Sequence, residues 1–333
     1  MIKNKMLSIT VMIFLFSASN LFPASATWLS ITVQTNKTIY NVSETVEING
    51  TVIFDGSPLS NTLVAIEVDD RTIPILYRTI NTGEDPPGPF KVEMLDVYLG
   101  DSYQNPVTNA KRGSTYWIWL VYKNNEVTPV QAALTFTIID PNNSPILALI
   151  VSLGEVPVGG PWYTGYQWTV PSDTQLGTAI VYGNAFTDYP RNGGTPHSPE
   201  KSSTFNIVST LSTINNLEPV QKSPPQVLQE EASYYLNFTI PENDARLGNY
   251  TVYATVTHWG LVSQENTIFE VILVGDVNGD GFVNAKDAVL LGSAFGSQEG
   301  DPEYNRAADL NNDGFCNAKD AIIIGANFGN SGR

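Results

Sequence analysis

Residues 275–296 read GDVNGDGFVNAKDAVLLGSAFG, and residues 308–329 repeat the pattern as ADLNNDGFCNAKDAIIIGANFG. The aligned blocks 276–296 and 309–329 are identical at 13 of 21 positions. In each block, acidic and amide residues surround a central glycine, and an apolar helical stretch follows. One loop of Asp, Asn and Gly is commonly only a turn, whereas two loops with one spacing and one following helix indicate a duplicated functional unit.

Both loops fit the twelve-residue template for calcium, which takes oxygen ligands from positions 1, 3, 5, 7, 9 and 12 and needs glycine at position 6. Each loop offers three carboxylates, two carboxamides and one backbone carbonyl, so softer metals are disfavoured. We therefore predict two Ca²⁺ ions, one per loop. The predicted ligands are Asp276, Asn278, Asp280, Phe282, Asn284 and Asp287 in the first loop, and Asp309, Asn311, Asp313, Phe315, Asn317 and Asp320 in the second.

Position 8 of each loop is apolar, with Val283 in the first copy and Cys316 in the second. This position points into the core of such a loop, so Cys316 is predicted to be a small buried hydrophobic residue and not a nucleophile. Cys316 is the one cysteine of the chain, which therefore forms no intramolecular disulfide. Stability must come from apolar cores and from metal.

The segment before the first loop, IFEVILVG, is typical of a strand and not of the entering helix of an EF-hand, and position 12 is Asp in place of Glu. With these features the two repeats resemble the type I dockerin domain. The resemblance covers residues 275–333 and implies a non-catalytic, calcium-dependent module that docks to a cohesin domain of another protein. It also implies an assembly of polysaccharide-degrading proteins as one setting for the chain.

The resemblance assigns partner binding to loop positions 10 and 11 and to helix positions 17 and 18. These positions are small or basic in both copies, and the near match of the copies suggests two related faces for one partner. A second interpretation stays open, because small residues on a helix also allow the two helices of the module to pack closely. The residues concerned are Ala285, Lys286, Gly292, Ser293, Ala318, Lys319, Gly325 and Ala326.

The chain ahead of the module alternates apolar and polar residues in short runs separated by Gly, Pro, Asn and Asp, which is typical of antiparallel β-sandwiches. Residues 32–68 resemble the immunoglobulin-like modules of exported microbial proteins. The turn-rich DPNNSP at 140–145 is the predicted linker. The expected fold is mainly β, with tandem immunoglobulin-like sandwiches at 27–140 and 146–274 and a small helical module at 275–333.

Residues 1–26 have the pattern of a cleaved secretory signal, with Lys3 and Lys5 before an apolar run and small residues at 24–26. No second apolar segment of membrane-spanning length follows, so the protein is expected outside the cell or at its surface. The 333 residues have a net charge of −16 and no basic cluster, which argues against nucleic acid as a partner.

Two further functions remain open for the sandwiches. A pair of carboxylates across a sugar cleft would make a glycoside hydrolase, although no sequence signature singles out such a pair. In STYWIWLVYK (114–123), strand alternation places Trp117, Trp119 and Val121 on one face. That face stacks on sugar rings if it is exposed and fills a core if it is buried, and PWYTGYQW (161–168) raises the same question.

Overall fold

The computed structural model describes residues 27–71, 73–209, 232–242 and 245–332. The predicted secretory signal at 1–26 lies outside these residues. Within the described part of the chain, no helix combines the length and the apolar character needed to cross a membrane.

The fold contains eighteen strands, one short 3₁₀ helix and two α-helices among the described residues. The strands up to residue 124 are β1 Leu29–Ile31, β2 Gln34–Thr35, β3 Ile39–Asn41, β4 Thr45–Phe54, β5 Ser57–Pro58, β6 Leu63–Asp70, β7 Ile73–Asn81, β8 Val92–Gly100, β9 Asn109–Lys111 and β10 Thr115–Asn124. The later elements are β11 Val130–Ile139, β12 Pro145–Val156, β13 Gly159–Thr169, β14 Gly177–Phe186, the 3₁₀ helix Pro190–Asn192, β15 Lys201–Val208, β16 Ser233–Thr239, β17 Gly248–His258, β18 Leu261–Ile272, α1 Ala285–Ala294 and α2 Ala318–Ala326.

The first sandwich combines strands from residues 29–81 with strands from residues 233–272. One sheet has the order β1-β4-β16, with β2 and β5 also paired to β4, and the other has the order β3-β18-β17-β6-β7. Their facing sides are filled by buried Val, Ile, Tyr and Phe side chains, among them Tyr40, Ile48, Val68, Val252 and Phe269. The alternation read from the sequence supplies this core, because every second residue of a strand faces the same side.

The second sandwich is formed by the continuous segment 92–208. A three-stranded sheet of order β13-β10-β8 packs on a five-stranded sheet of order β12-β11-β14-β15-β9. The other side of the five-stranded sheet contacts the first sandwich at β6 and β7, through the small apolar cluster of Ala65, Tyr77, Ala133, Ala148 and Phe186. The three-stranded sheet therefore turns its outer face away from the first sandwich.

The structure confirms the mainly β fold with a C-terminal helical module and corrects how the chain is divided. The predicted linker at 140–145 is a tight turn, in which Asp140 Oδ1 accepts hydrogen bonds from the backbone N–H groups of Asn142 and Ser144, at 2.8 and 2.9 Å. Strands β11 and β12 pair across this turn. The first sandwich is completed only by β16 to β18, so the second is inserted into it and does not follow it.

A group of buried charges fixes the junction between the two sandwiches. Glu67 of β6 accepts hydrogen bonds from Tyr77 Oη at 3.0 Å and from the backbone N–H of Arg191 at 2.8 Å. Arg191, in the 3₁₀ helix of the inserted sandwich, also donates to Asp69 Oδ2 at 2.9 Å. Burial first, and then the charge of Asp69, raise the pKa of Glu67 to about 7.

The raised pKa of Glu67 predicts a pH dependence of stability. Between the ordinary glutamate pKa of 4.5 and the folded pKa of about 7, the folded protein keeps the proton while the unfolded chain has lost it. The contribution is therefore complete below pH 4.5 and is lost as the pH rises to about 7, by up to about 3 kcal/mol for this shift. Glu67→Gln stays neutral throughout, so its unfolding midpoint should decline less over this range.

Urea unfolding at constant calcium, from pH 4.5 to pH 8, measures this difference between wild type and Glu67→Gln. The calcium loops have the same sequence in both proteins, so their contribution cancels in the comparison. Parallel midpoint curves would show that Glu67 is not the group responsible.

The helical module packs against the first sandwich. Asn41 Nδ2 donates to Asn327 Oδ1 at 2.7 Å, and the backbone N–H of Val274 donates to Asn41 Oδ1 at 2.9 Å. Ala245 and Gly332 form an isolated parallel bridge, and Gly332 lies against Leu247. The C-terminal residues thus fasten the module to the end of the sandwich from which β18 leads into the first loop.

Candidate calcium-binding and docking module

Each loop leads directly into a helix that its own residues cap. Asn284 is the N-cap of α1, and its side chain accepts a hydrogen bond from the backbone N–H of Lys286 at 2.9 Å. Asp287 completes a capping box by accepting from the backbone N–H of Asn284. Asn317 and Asp320 repeat this arrangement at the start of α2. The same residues that are counted as ligands therefore also determine where the helices begin.

In the first loop, the buried carboxylate of Asp287 holds both ends together. Its Oδ1 accepts from the backbone N–H groups of Val277 and Asn278 at 2.9 and 3.2 Å, and its Oδ2 accepts from that of Asn284 at 2.8 Å. Asp276 accepts from the backbone N–H groups of Asp280 and Gly281 at 3.1 and 2.8 Å. These bonds hold the loop closed around the side chains of Asp276 and Asp287.

The second loop repeats the first almost bond for bond. Asp320 Oδ1 accepts from the backbone N–H groups of Leu310 and Asn311 at 2.9 and 3.3 Å, and Oδ2 accepts from that of Asn317 at 2.8 Å. Asp309 accepts from the backbone N–H groups of Asp313 and Gly314. It also accepts from Tyr304 Oη at 2.7 Å, a contact that comes from the segment between the two repeats.

The central glycines are required by the backbone. Gly281 and Gly314 have φ of +83° and +82°, in the left-handed region that glycine adopts without strain. The residues that follow, Phe282 and Phe315, have exposed side chains, which agrees with a role for their backbone carbonyls alone. Next in each loop, Val283 and Cys316 are fully buried, so the prediction for Cys316 is confirmed.

The donor set of each loop consists of oxygen atoms, which suits a hard divalent cation. Within the described ranges, no three Asp, Glu, His or Cys side chains come together closely enough to form a metal site by themselves. The set counted from the sequence also draws on two carboxamides and a backbone carbonyl per loop. With those oxygens included, the residues fit Ca²⁺, which would offset most of the negative charge of the three carboxylates in each loop.

One lysine in each loop partly balances the acidic charge from outside. Lys286 Nζ lies 2.9 Å from Asp280 Oδ2, and Lys319 Nζ lies 2.8 Å from Asp313 Oδ2. The hydrogen bond from the lysine lowers the pKa of Asp280, and the same arrangement lowers the pKa of Asp313. Both lysine side chains are largely exposed, so these ion pairs are open to a binding partner.

The structure separates the two interpretations of the small residues. All eight residues at the predicted partner-binding positions are exposed. A Cβ built on Gly292 or Gly325 would have no neighbour within 4 Å, so neither glycine serves close packing between the helices. The helices bury Leu291, Ala294 and Ile324 instead. The small residues form open surface.

Two exposed apolar residues belong to the same surfaces and were missed from the sequence. Val289 is 69% exposed and Ile322 is 71% exposed, although both are large hydrophobic residues. On a helix, residues three and four apart share a face. Val289 is thus surrounded by Ala285, Lys286, Gly292 and Ser293, and Ile322 is surrounded in the same way in α2. The spacing of three and four residues along each helix was the sequence signal that could have identified Val289 and Ile322.

We define the α1 face and the α2 face by these residues. The α1 face comprises Ala285, Lys286, Val289, Gly292 and Ser293, and the α2 face comprises Ala318, Lys319, Ile322, Gly325 and Ala326. Each face has an exposed aliphatic centre, small residues on one side and a lysine on the other. The contacts that join the module to the sandwich, through Asn327 and Gly332, leave both faces exposed.

Loop, cap and helix, occurring twice without an entering helix, define a calcium-loop docking module. Residues 274–328 match the family model described as the dockerin type I domain. The C-terminal segment is therefore a type I dockerin, a non-catalytic class of module that binds calcium and docks to cohesins. A search of curated proteins found no match to the sequence.

Solved structures resemble parts of the chain only weakly. The C-terminal domain of wzt aligns with 38% of this chain and 78% of that chain, at 9% identity and a TM-score of 0.30. A Paenibacillus cycloisomaltooligosaccharide glucanotransferase aligns over 35% and 14%, at 10% identity and a TM-score of 0.28. The DNA glycosylase AlkC of Pseudomonas fluorescens aligns over 36% and 31%, at 8% identity and a TM-score of 0.27. The chain thus covers less than a third of the last two proteins, and scores this low do not define a common fold.

Proposed function

We propose that this is a secreted, calcium-binding modular protein whose C-terminal dockerin attaches it to a cohesin-type domain of another protein. The observation that supports the proposal most directly is the pair of exposed, nearly identical faces on a segment that matches the dockerin type I family. The two sandwiches serve as spacers or present a ligand-binding surface away from the point of attachment. Catalysis is not part of this function.

Two Ca²⁺ ions occupy the loops in this proposal, held by the twelve residues counted from the sequence. Calcium stabilises the closed loops by neutralising three carboxylates in each, and the closed loops in turn orient α1 and α2. The ion acts on the partner only through the position of the helices. The partner contacts the α1 face, the α2 face or each in turn, because the repeats present similar residues in similar positions.

An aliphatic centre with small neighbours suits a partner whose surface approaches the helix closely. Val289 or Ile322 becomes buried on binding, while Gly292 or Gly325 lets the partner's backbone come near. Lys286 and Lys319 add a positive charge at the rim, so an acidic patch on the partner beside its apolar contact is expected.

The test is capture of the full chain by a panel of immobilised cohesin domains, with calcium and with a chelator. Calcium-dependent capture by at least one cohesin is the expected result. Capture that persists in the chelator, or a failure of all cohesins to bind the calcium-loaded chain, would contradict the proposal. Export is tested separately, by sequencing the N-terminus of the protein recovered from culture medium, where cleavage before Thr27 is expected.

The competing function is a carbohydrate-active or carbohydrate-binding component of a polysaccharide-degrading assembly. Binding of sugar without hydrolysis is favoured by the partly exposed aromatic residues Trp117, Trp119 and Tyr163 on the inserted sandwich.

A further inference from the structure

In the inserted sandwich, the outer face of the three-stranded sheet carries aromatic side chains that are not part of the core between the two sheets. On the inner face, Ile118 and Leu120 are fully buried between the sheets. The outer face holds Trp117 and Trp119, both partly exposed, and Tyr163, which is 46% exposed. The core is thus complete without these rings.

The strand register places the outer residues in three rows across β8, β10 and β13. We call this surface the aromatic platform. Its rows are Asp96, Val121 and Tyr163, then Tyr98, Trp119 and Gly165, then Gly100, Trp117 and Gln167. Four of these nine residues are aromatic, namely Tyr98, Trp117, Trp119 and Tyr163, so aromatic side chains occupy all three rows.

Glycines on both sides give Trp119 its place on the sheet. A Cβ on Gly165 would come within 2.5 Å of Trp119 Cζ3, and a Cβ on Gly100 would come within 2.9 Å of Trp119 Cδ1. The indole therefore fills the space that two side chains would occupy. Its Nε1 donates to the carbonyl oxygen of Asp101 at 2.9 Å, which fixes its orientation.

The indole of Trp117 stacks against the indole of Trp119. The two rings lie at an interplanar angle of 15°, with centroids 5.3 Å apart. Because both rings are held by the sheet and by each other, a ligand that stacks on them loses little of the protein's conformational entropy. The C–H faces of pyranose rings are flat, apolar and weakly positive, so they complement the negative face of an indole.

The charges of the platform restrict the ligand to neutral chemistry. None of the nine residues in the rows is Lys or Arg, and Asp96 is exposed and acidic. The next outer residue of β10, Lys123, lies opposite the acidic Glu93 of β8. Single-stranded nucleic acid also stacks on aromatic rings but requires cations along its backbone. Acidic polysaccharides would be repelled. The exposed carboxylate of Asp96 can accept hydrogen bonds from sugar hydroxyls, and the exposed carboxamide of Gln167 can both donate and accept them.

We propose that the aromatic platform binds a neutral polysaccharide through stacking of pyranose rings on Trp117, Trp119 and Tyr163. The ligand lies along β10, on the side of the inserted sandwich opposite to its junction with the first sandwich. This site is independent of the dockerin and of its calcium loops. The protein would then hold a glycan on one module and an assembly on another.

The test uses the full chain with calcium in native gels that contain mixed-linkage β-glucan, xyloglucan, galactomannan or polygalacturonate. Retardation by at least one neutral polymer and none by polygalacturonate is expected. Trp117→Ala and Tyr163→Ala should each raise the dissociation constant for the polymer by about tenfold or more. Trp259→Ala is the matched control, because Trp259 is 82% exposed on the β17–β18 hairpin of the other sandwich.

Trp117→Ala and Tyr163→Ala must keep the circular dichroism spectrum and melting temperature of the wild type for the comparison to hold. Tyr163 lies on the surface, so its truncation tests the platform even if Trp117→Ala perturbs the fold. Absence of retardation by every neutral polymer, equal retardation by polygalacturonate, or unchanged binding in Tyr163→Ala would each overturn the proposal. A dimer in solution that buries the platform would do the same.

Discussion

Replacing Asp287 or Asp320 by alanine should abolish calcium binding by the affected loop and unfold the helix that follows it. Each of these carboxylates is fully buried and accepts three backbone hydrogen bonds. Truncation leaves buried N–H donors unpaired, at about 1–3 kcal/mol each, in addition to the loss of a metal ligand. Asp287 and Asp320 combine burial, helix capping and a predicted role as metal ligand in one side chain.

Calorimetry and circular dichroism in calcium measure this effect. The wild type should show a transition for the dockerin that disappears in a chelator, while the transition of the sandwiches shifts little. At calcium a thousandfold above the dissociation constant, the linked stabilisation is about 4 kcal/mol. In each variant, the half of the module that carries the substitution should melt as it does in the wild type with chelator.

Asp173→Ala is the control for the loss of one acidic residue, because Asp173 is exposed in the loop between β13 and β14. It should bind calcium and melt as the wild type does. A calcium titration that gives the same heat for Asp287→Ala as for the wild type would show that the buried carboxylate is structural only. In that case the ligand set counted from the sequence must be revised.

The loops were predictable from the sequence because their information is local. Glycine at the positive-φ position and oxygen donors at fixed spacing specify the loop within twelve residues, and the structure places Gly281 and Gly314 in that conformation. The N-cap Asn284 and the capping Asp287 lie within the same stretch. The role of Cys316 followed from its position alone. No long-range contact was needed for these predictions.

The division into sandwiches was not predictable in the same way, because strand pairing is not local. Thr45 of β4 pairs with Thr239 of β16, 194 residues later, whereas the strong turn at Asp140 joins two neighbouring strands. Turn residues show where a chain reverses, but they do not show which strands lie side by side. Two sandwiches were correctly expected, and the insertion of one into the other could be found only from the pairing.

The alternation of residues along the strand also could not predict which aromatic side chains are exposed. Alternation placed Trp117 and Trp119 together but did not decide between core and surface. The outcome depends on which face meets the five-stranded sheet, and Ile118 and Leu120 occupy that face. In the dockerin, the α1 and α2 faces were found only in part, because Val and Ile are more often buried than exposed and nothing in the composition marks Val289 and Ile322 as exposed.

Placing arginine at both Gly292 and Gly325 should abolish docking while leaving calcium binding intact. Both positions are open, with no atom within 4 Å of a built Cβ, so the fold can accept a long side chain. Within a helix, replacing glycine also removes a penalty of about 1 kcal/mol, so stability should not fall. The loss of docking then arises from bulk and charge at the surface that the partner approaches.

The single variants distinguish one face from two. If the partner uses either face, Gly292→Arg and Gly325→Arg should each weaken cohesin binding only a few fold, and the double variant should weaken it by at least about a hundredfold. If one face is used, one single variant should match the double. Surface plasmon resonance in calcium, with the cohesin found by capture, gives these ratios.

The double variant Gly292→Ala and Gly325→Ala is the matched control, because it raises helix propensity without filling the surface. It should bind within a few fold of the wild type, whereas any mechanism based on helix flexibility would affect alanine and arginine alike. Unchanged docking in the double arginine variant would place the contact elsewhere on the module. Gly292 lies beside Val289 on the α1 face, and Gly325 lies beside Ile322 on the α2 face. That result would therefore show that neither Val289 nor Ile322 contacts the partner.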